Sequence, residues 1–305
     1  MLTDNRNGIS LALGTFDGFH LGHMAVINAA RKSEYPMYAL LFDEHPLKVI
    51  RGEAPPELLC DSVLFRIREE NGIPAIHIDF SEIMDMTAEE FFYEILIDEM
   101  EVRELSCGEN YSFGKGGKGN IELLGRLCNE NGVKLNVVAT VLYKGEPISS
   151  TRIRRAVESG NMEEAREMLG RPFSYCFPVI DGDKRGRTLG FPTANQVFPD
   201  GFIKMKRGVY ASCCRVDGKL YPAMTNYGVR PTVDGEKCFS ETHIIGFNGN
   251  LYSRCIEVFI LAFIRDEKKF DGLDGLSAAI AEDKKIALKI FSDYLETEKQ
   301  IMYND

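Results

Sequence analysis

The 305-residue chain contains no tryptophan, no Cys-x-x-Cys pair and no long apolar run. Without tryptophan, stacking against a ligand falls to Tyr or Phe. Eight cysteines without paired spacing argue against a zinc site or a thioredoxin-like centre and fit free thiols in a reducing compartment. The longest apolar candidate, Ile256 to Ile264, is interrupted by Glu257 and falls far short of the roughly 20 residues that cross a bilayer. The opening MLTDNRNG has no basic region leading into an apolar stretch, so no signal peptide is expected and a cytoplasmic protein is. An excess of positive charge is also missing. With 36 Lys+Arg against 46 Asp+Glu the net charge is -10, which disfavours nonspecific nucleic-acid binding and leaves any bound anion to local features. Neither a nucleic acid nor a membrane is an expected partner, and the sequence sets no oligomeric state.

What is present is a globular composition, 44% hydrophobic and 27% charged, in a chain long enough for two domains at about 100–200 residues each. The charges divide unevenly. Residues 1–172 hold 18 basic and 28 acidic side chains, whereas residues 173–305 hold 18 of each. The excess sits in 82–109, with ten acids against one base, and the balance reverses in 114–155, with eight bases against three acids.

The first part alternates short apolar runs with helical patterns. ISLALG (9–14) reads as a buried strand, 22–33 as a helix and MYALLF (37–42) as a second strand. The alternation continues through helices near 61–71, 88–100 and 120–131 and strands at 75–79, 104–107 and 134–142. That order predicts a doubly wound parallel sheet of Rossmann-like type, with ligands at the carboxyl ends of its strands. The second part predicts an antiparallel sheet or small barrel. VYASCCRV and KLYPAMTN flank Asp217-Gly218, SETHIIGF and LYSRCIEVFILAFI flank Asn248-Gly249, and both pairs carry a short-hairpin signal. A long amphipathic helix from Leu273 to about Glu298 closes the chain. The boundary is placed at Arg171-Pro172, giving domains 1–172 and 173–305.

The first predicted strand runs into GTFDGFHLGH, which puts His20 and His23 at the start of a helix. A helix N-terminus offers unpaired N–H groups and partial positive charge to an anion, and two imidazoles there can donate to a phosphorus centre gaining charge. ISSTRIRRAV (148–157) places Ser149, Ser150 and Thr151 at a second helix start, where their hydroxyls are expected to cap N–H groups. Arg152 and Arg154 follow in the first turn, where they oppose the helix dipole unless a phosphate compensates or solvent does so. FDEHP (42–46) and GENYSFG (108–114) fall at other expected strand ends on the same rim. GKGGKG (114–119) is a literal GxGxxG, but it stands away from the first βα turn, and no acidic residue occupies 131–145. It reads instead as a flexible basic surface loop.

GTFDGFHLGH with ISSTRIR and GENYSFG resembles the nucleotidyltransferase module of the bacterial bifunctional riboflavin kinase/FMN adenylyltransferase (FAD synthetase) family, of the HxGH type. The resemblance implies adenylylation of FMN by ATP to give FAD and pyrophosphate. It implies an ATP-binding set of Gly14, Phe16, Asp17, His20, His23, Asn110, Ser150, Thr151 and Arg152, with His20, His23 and Arg152 catalytic. Glu44 stands where the family usually has a proline, which bears on local loop shape.

GDKRGRTLGFPTAN (182–195) surrounds three glycines with basic residues and ends in Thr193 and Asn195, hard oxygen ligands suited to Mg2+. Downstream come TNYGVRPT (225–232) and SETHIIGF (240–247). On a strand, Glu241 and His243 share a side, so a carboxylate and an imidazole can line one pocket. This half resembles the riboflavin kinase module of the same family. The resemblance implies an antiparallel β-barrel, Gly186, Gly190, Pro192, Thr193 and Asn195 at Mg-ATP, Glu241 as general base on the ribityl 5′-hydroxyl, and Arg265 near the flavin. It makes His243 a structural neighbour, and Phe177 stands where a glycine is common.

The expectation is one enzyme with two ATP-dependent sites, making FMN and then FAD. The alternatives are a family member with one active module and a non-catalytic flavin-binding protein.

Overall fold

The computed structural model describes residues 8–181, 191–232, 235–270 and 272–304. By its contacts the chain divides into two compact units, Met1–Pro55 with Leu64–Ser150, and Pro56–Val63 with Thr151–Asp305.

In the first unit the apolar runs form Ile9–Leu13 (β1), Met37–Phe42 (β2), Ala75–Ile78 (β3), Val102–Gly108 (β4) and Lys134–Val138 (β5). They pair in the order β3-β2-β1-β4-β5, every neighbour parallel, as the βαβ reading predicted. The helices are Leu21–Ala30 (α1), Pro46–Arg51 (α2), Asp61–Glu70 (α3), Phe80–Ile83 (α4), Ala88–Glu90 (α5) and Ile121–Glu130 (α6). α1 packs against β1, β4 and β5, where Ser10 donates to the Ala30 carbonyl at 2.9 Å. Leu11, Leu13, Leu105 and Cys107 instead join Phe92, Leu96, Leu124 and Leu127 in one core. β1 is buried throughout, which is why it reads as an unbroken apolar run rather than an alternating one.

Two stretches depart from the sequence reading. Beyond Glu90 the expected helix continues as a π-helix, Phe91–Glu99, whose wider turn gathers Phe91, Phe92, Ile95 and Leu96 on the buried side. The strand expected through 142 stops at Val138. Leu142–Tyr143 (β6) and Glu146–Pro147 (β7) then form a separate two-stranded ribbon.

The second unit holds the helices Ser150–Ser159 (α7) and Met162–Leu169 (α8), the latter ended by Gly170 in the left-handed conformation. Its strands are Phe173–Pro178 (β8), Ala194–Val197 (β9), Gly208–Val216 (β10), Lys219–Thr232 (β11), Gly235–Ile244 (β12) and Cys255–Arg265 (β13). They form an antiparallel sheet in the order β8-β13-β10-β11-β12-β9. The sheet closes on itself where Ile180 bridges Asn195 and where the buried Gln196 amide donates to the carbonyls of Phe177 (2.6 Å) and Ile256 (2.9 Å). Segment Pro56–Val63 belongs to this unit because Glu57 exchanges backbone hydrogen bonds with Gly201 and Ile203. Phe177, the residue in place of a glycine, fills an aromatic cluster with Tyr175, Phe198 and Phe202.

One hairpin signal held and one did not. Asp217 (φ 50°) and Gly218 (φ 76°) both take positive φ, as the tight turn between β10 and β11 requires. Asn248 and Gly249 do not, and β12 and β13 are not partners: β12 lies between β11 and β9, and β13 between β8 and β10. The segment joining them is a crossing connection, not a hairpin. The final helix, Leu273–Asn304 (α9), sets Ala287 and Ile290 against Ala211 and Met224, and Phe291 against Cys213 and Phe259.

Glu104 on β4 is 4% exposed and accepts hydrogen bonds from Ser33 (2.7 Å), Lys134 (2.9 Å) and Asn136 (2.7 Å). Burial alone would raise its pKa, but the bonds from Asn136, Lys134 and Ser33 outweigh it and hold the carboxyl below the ordinary 4.5. Glu104→Gln should therefore destabilise the first unit by roughly 1–3 kcal/mol at neutral pH. The difference from wild type should be full above the ordinary value and disappear as the pH falls through the lowered one. Urea unfolding of both proteins from neutral to acidic pH measures it, and a gap that does not narrow in acid would show that the charge is not what is stabilised.

Candidate active sites

In the first sheet the strand order reverses direction between β1 and β4, so the crevice at their carboxyl ends is the expected ligand site. GTFDGFHLGH leaves β1 there, and the turn of GENYSFG leaves β4, with Asn110 exposed. The first loop is strained and packed. Phe16 (φ 47°) and Phe19 (φ 42°) are left-handed without being glycine, which costs of order 1–3 kcal/mol each. Both rings are buried, stacked at 5.7 Å, and Phe16 also meets the His23 ring edge-on at 5.3 Å. Gly14 lies under the Phe16 ring, which an added Cβ would approach to 3.1 Å.

His20, 5% exposed, caps α1, and its Nδ1 accepts from the His23 backbone N–H at 3.2 Å. An accepting Nδ1 places the proton of the neutral ring on Nε2, which makes Nε2 a donor. The two imidazoles stack with centroids 3.6 Å apart. Gly22, between them in sequence, packs closely: a Cβ there would stand 3.0 Å from the His20 ring, which would have to give way slightly. Ser150 completes this group by donating its hydroxyl to the Asp17 carboxylate.

The expectation for the start of α7 changes in detail. The Ser150 hydroxyl is given to Asp17, and Thr151 is exposed. Arg152 pairs with Glu164 at 2.9 Å, and Arg154 is buried with its Nε on the Pro56 carbonyl at 2.6 Å. Both cations near this helix start are therefore compensated by protein groups, so their position alone does not call for a phosphate. Thr151 and Arg152 belong by contacts to the second unit.

The residues of the second motif and its surroundings make local contacts. His45 caps α2, Glu44 pairs with Lys48 along the same helix, and His77 lies between Asp43 and Arg68. The GKGGKG loop is wound tightly, not loosely. Phe113 and Gly119 exchange backbone bonds, and a Cβ on Gly114 would strike the Ala88 backbone at 2.5 Å.

In the second unit Gly186 and Gly190 lie outside the described residues. The others meet on the barrel wall. Directly opposed residues in neighbouring strands share a face, with Cβ atoms about 4.5–5.5 Å apart. Asn195 on β9 opposes Glu241 on β12, Glu241 opposes Asn226 on β11, Asn226 opposes Val209 on β10, and Val209 opposes Arg265 on β13. Four polar side chains thus stand in one row across five strands, on the face that carries Ala211, Met224 and α9. The next row holds Ala211, Met224 and His243.

The local contacts order this row. The Asn195 amide nitrogen donates to the Thr193 carbonyl at 3.3 Å and reaches the Thr193 hydroxyl oxygen at 3.5 Å, so Nδ2 is engaged with Thr193 and Oδ1 is the amide's remaining acceptor. His243 is 8% exposed and donates from Nδ1 to the Pro192 carbonyl at 2.9 Å. Burial, with Lys284 nearby, holds its pKa below the usual histidine value against the opposing effect of that bond. Arg265 is fixed by Asp283 of α9, Nε to Oδ1 at 2.9 Å and Nη2 to Oδ2 at 2.7 Å. Thr193 also borders an open cleft lined by Val179, Ile244, Leu251 and Tyr252.

Sequence reasoning missed Asn226 and Asp283. Asn226 stood in the quoted TNYGVRPT, and counting outward from the Asp217-Gly218 turn sets it opposite Val209, whereas its pairing with Glu241 depends on β12, which that turn does not reach. No comparable signal marks Asp283, which α9 brings to Arg265 only through tertiary packing.

Comparison with known proteins covers both units. The family descriptions "FAD synthetase" and "Riboflavin kinase" match residues 2–152 and 169–291. The chain is 34% identical to the "Bifunctional riboflavin kinase/FMN adenylyltransferase" of Escherichia coli K12, covering 94% of each. It is 32% identical to the Bacillus subtilis protein of that name, over 93% of this chain and 92% of the relative. A crystal structure from Streptococcus pneumoniae described as a macrolide-efflux protein superposes with a TM-score of 0.84 at 32% identity, covering 93% of this chain and 95% of that one. Among the described residues no helix is long and apolar enough to cross a membrane. With relatives at this identity aligned across nearly their whole length, and both component families matched in order, the chain belongs to the bifunctional riboflavin kinase/FMN adenylyltransferase family.

Proposed function

We propose that this chain carries both activities of its family. The second unit transfers the γ-phosphoryl group of ATP to the 5′-hydroxyl of riboflavin, and the switch-point site of the first joins FMN to the adenylyl group of ATP, releasing pyrophosphate. The functional division falls near Pro172, into 1–172 and 173–305. Riboflavin, FMN, FAD and ATP are the small molecules involved. ATP as co-substrate, together with free cysteines, fits the cytoplasm.

The observation that carries the reading is the row Arg265–Val209–Asn226–Glu241–Asn195, because it orders a flavin-side cation, a base and a phosphate-side ligand along one surface. Glu241 removes the hydroxyl proton as that oxygen attacks phosphorus, a contribution of order 10²- to 10⁴-fold. The Thr193 hydroxyl and Asn195 Oδ1 are hard oxygen donors that fit Mg2+, an ion that keeps most of its shell for waters and phosphates. Bound there, Mg2+ would neutralise charge on the phosphoryl oxygens. The neighbouring cleft suits the nucleoside of ATP, apolar at Ile244 and Leu251.

In the first unit His20 Nε2 and His23 donate to the α-phosphate, with Ser150 in the same group; for Thr151 and Arg152 the phosphate-holding role rests on the family resemblance. Gly14, Phe16 and Asp17 shape the loop and Asn110 lines the rim. His20 serves as a donor while neutral.

Incubating the protein with riboflavin, ATP and Mg2+ and separating the flavins tests both assignments. FMN should form, followed by FAD. No FMN would remove the kinase reading, and FMN without FAD would remove the adenylyltransferase one. His23→Ala should abolish FAD formation from supplied FMN and leave FMN formation intact; loss of both would contradict separate sites. Glu241→Gln should slow FMN formation by about 10²- to 10⁴-fold while sparing FAD formation. An unchanged rate of FMN formation would exclude Glu241 as the base.

A further inference from the structure

We infer that Asn226 is a substrate-contact residue of the kinase site that hydrogen-bonds the ribityl hydroxyls of riboflavin and so aligns the 5′-hydroxyl with Glu241. The inference rests on the kinase reading above and adds a residue to it.

Three observations lead to it. Asn226 directly opposes Glu241 in the β11–β12 register, so the two side chains leave the same face as immediate neighbours. Its amide is half-buried, and among the described residues its side chain makes no hydrogen bond. A half-buried amide on a strand flanked by paired neighbours ordinarily finds a partner, and here a ligand is the available one. Its place in the row supplies the third. Glu241 lies one strand to one side, while Val209 and then Arg265 lie one and two strands to the other.

At about 4.8 Å per strand, Arg265 and Glu241 are roughly 14 Å apart along the wall, and Asn226 occupies the position next to the base. A flavin with its ring toward Arg265 and its terminal hydroxyl at Glu241 has only its polyol chain left to cross Asn226. The amide suits that chain, because Nδ2 donates and Oδ1 accepts, and each ribityl hydroxyl does both. Val209, apolar at the adjoining position, suits the start of the ring system. Asp283 fixes the far end by holding the Arg265 guanidinium from α9.

The test compares riboflavin with lumiflavin, which carries the same ring and no polyol. Binding of each is followed by flavin fluorescence in the presence of Mg-ADP, alongside steady-state kinase kinetics. Asn226→Ala should weaken riboflavin binding and raise its KM by about three- to tenfold, the loss expected for one or two neutral hydrogen bonds. Lumiflavin binding, the KM for ATP, and FAD formation from supplied FMN should not change. Equal weakening of riboflavin and lumiflavin would overturn the inference, because the effect would then act on the ring or the fold. So would a fall in kcat at constant riboflavin KM, which would make Asn226 a partner of Glu241 alone. If Asn226→Ala lowers the melting temperature, Asn226→Ser, which keeps a donor and an acceptor, serves instead: a smaller riboflavin-specific loss supports the contact and none overturns it. A wild type that makes no FMN would overturn the kinase reading and this contact with it, before any variant is compared.

Discussion

Inside the barrel, a chain of hydroxyls decides what stands outside it. Ser212 bonds Thr225 at 2.8 Å and Thr225 bonds Thr242 at 2.9 Å, all three fully buried on strands β10, β11 and β12. Because side chains alternate between faces, a slip of one residue in β12 would carry Thr242 to the outer wall and Glu241 into the interior. The slip would break this chain and bury a carboxylate, each at a cost of kilocalories. Gln196 adds the same constraint at the barrel seam, where its amide reaches the backbone carbonyls of Phe177 and Ile256. The outer row from Asn195 to Arg265 is thus a consequence of inner polar bonds that touch no substrate.

The first unit positions its site by another device. No sheet face is used; the residues lie in a loop beyond a strand end, where register offers no help. Precision comes from crowding instead. Phe16 and Phe19 are held in left-handed backbone by burial of their rings, Gly22 packs close to the His20 ring, and Ser150 binds the loop through Asp17. Strain of this kind persists only where surrounding packing over-determines it.

The difference explains which features could be read from sequence. Parallel strands buried on both faces leave unbroken apolar runs, so β1 and β2 were visible, and the switch point followed from their order. Asp217-Gly218 announced its turn because both residues must take positive φ. Asn248-Gly249 is the same kind of signal with the opposite outcome, because β13 finds its partners in β8 and β10 and the dipeptide keeps ordinary dihedrals. The partners of Arg152 and Arg154 were hidden for a related reason. Dipole repulsion at a helix start is local, whereas Glu164 and the Pro56 carbonyl, which meet those charges, come from other segments. Asn226 was hidden because one strand does not reveal its neighbour.

The two chemistries account for where carboxylates lie. Riboflavin presents a neutral hydroxyl, whose proton must leave as the oxygen attacks, and the barrel row accordingly contains Glu241 between two amides. FMN presents a phosphate that is already an anion and needs no base, only relief of the charge that gathers around the α-phosphorus. The HxGH loop matches that demand. It offers imidazole and backbone N–H donors at a helix start, and its carboxylate, Asp17, accepts the Ser150 hydroxyl rather than standing free to repel a polyphosphate. A base at that position would gain nothing and would oppose both substrates electrostatically.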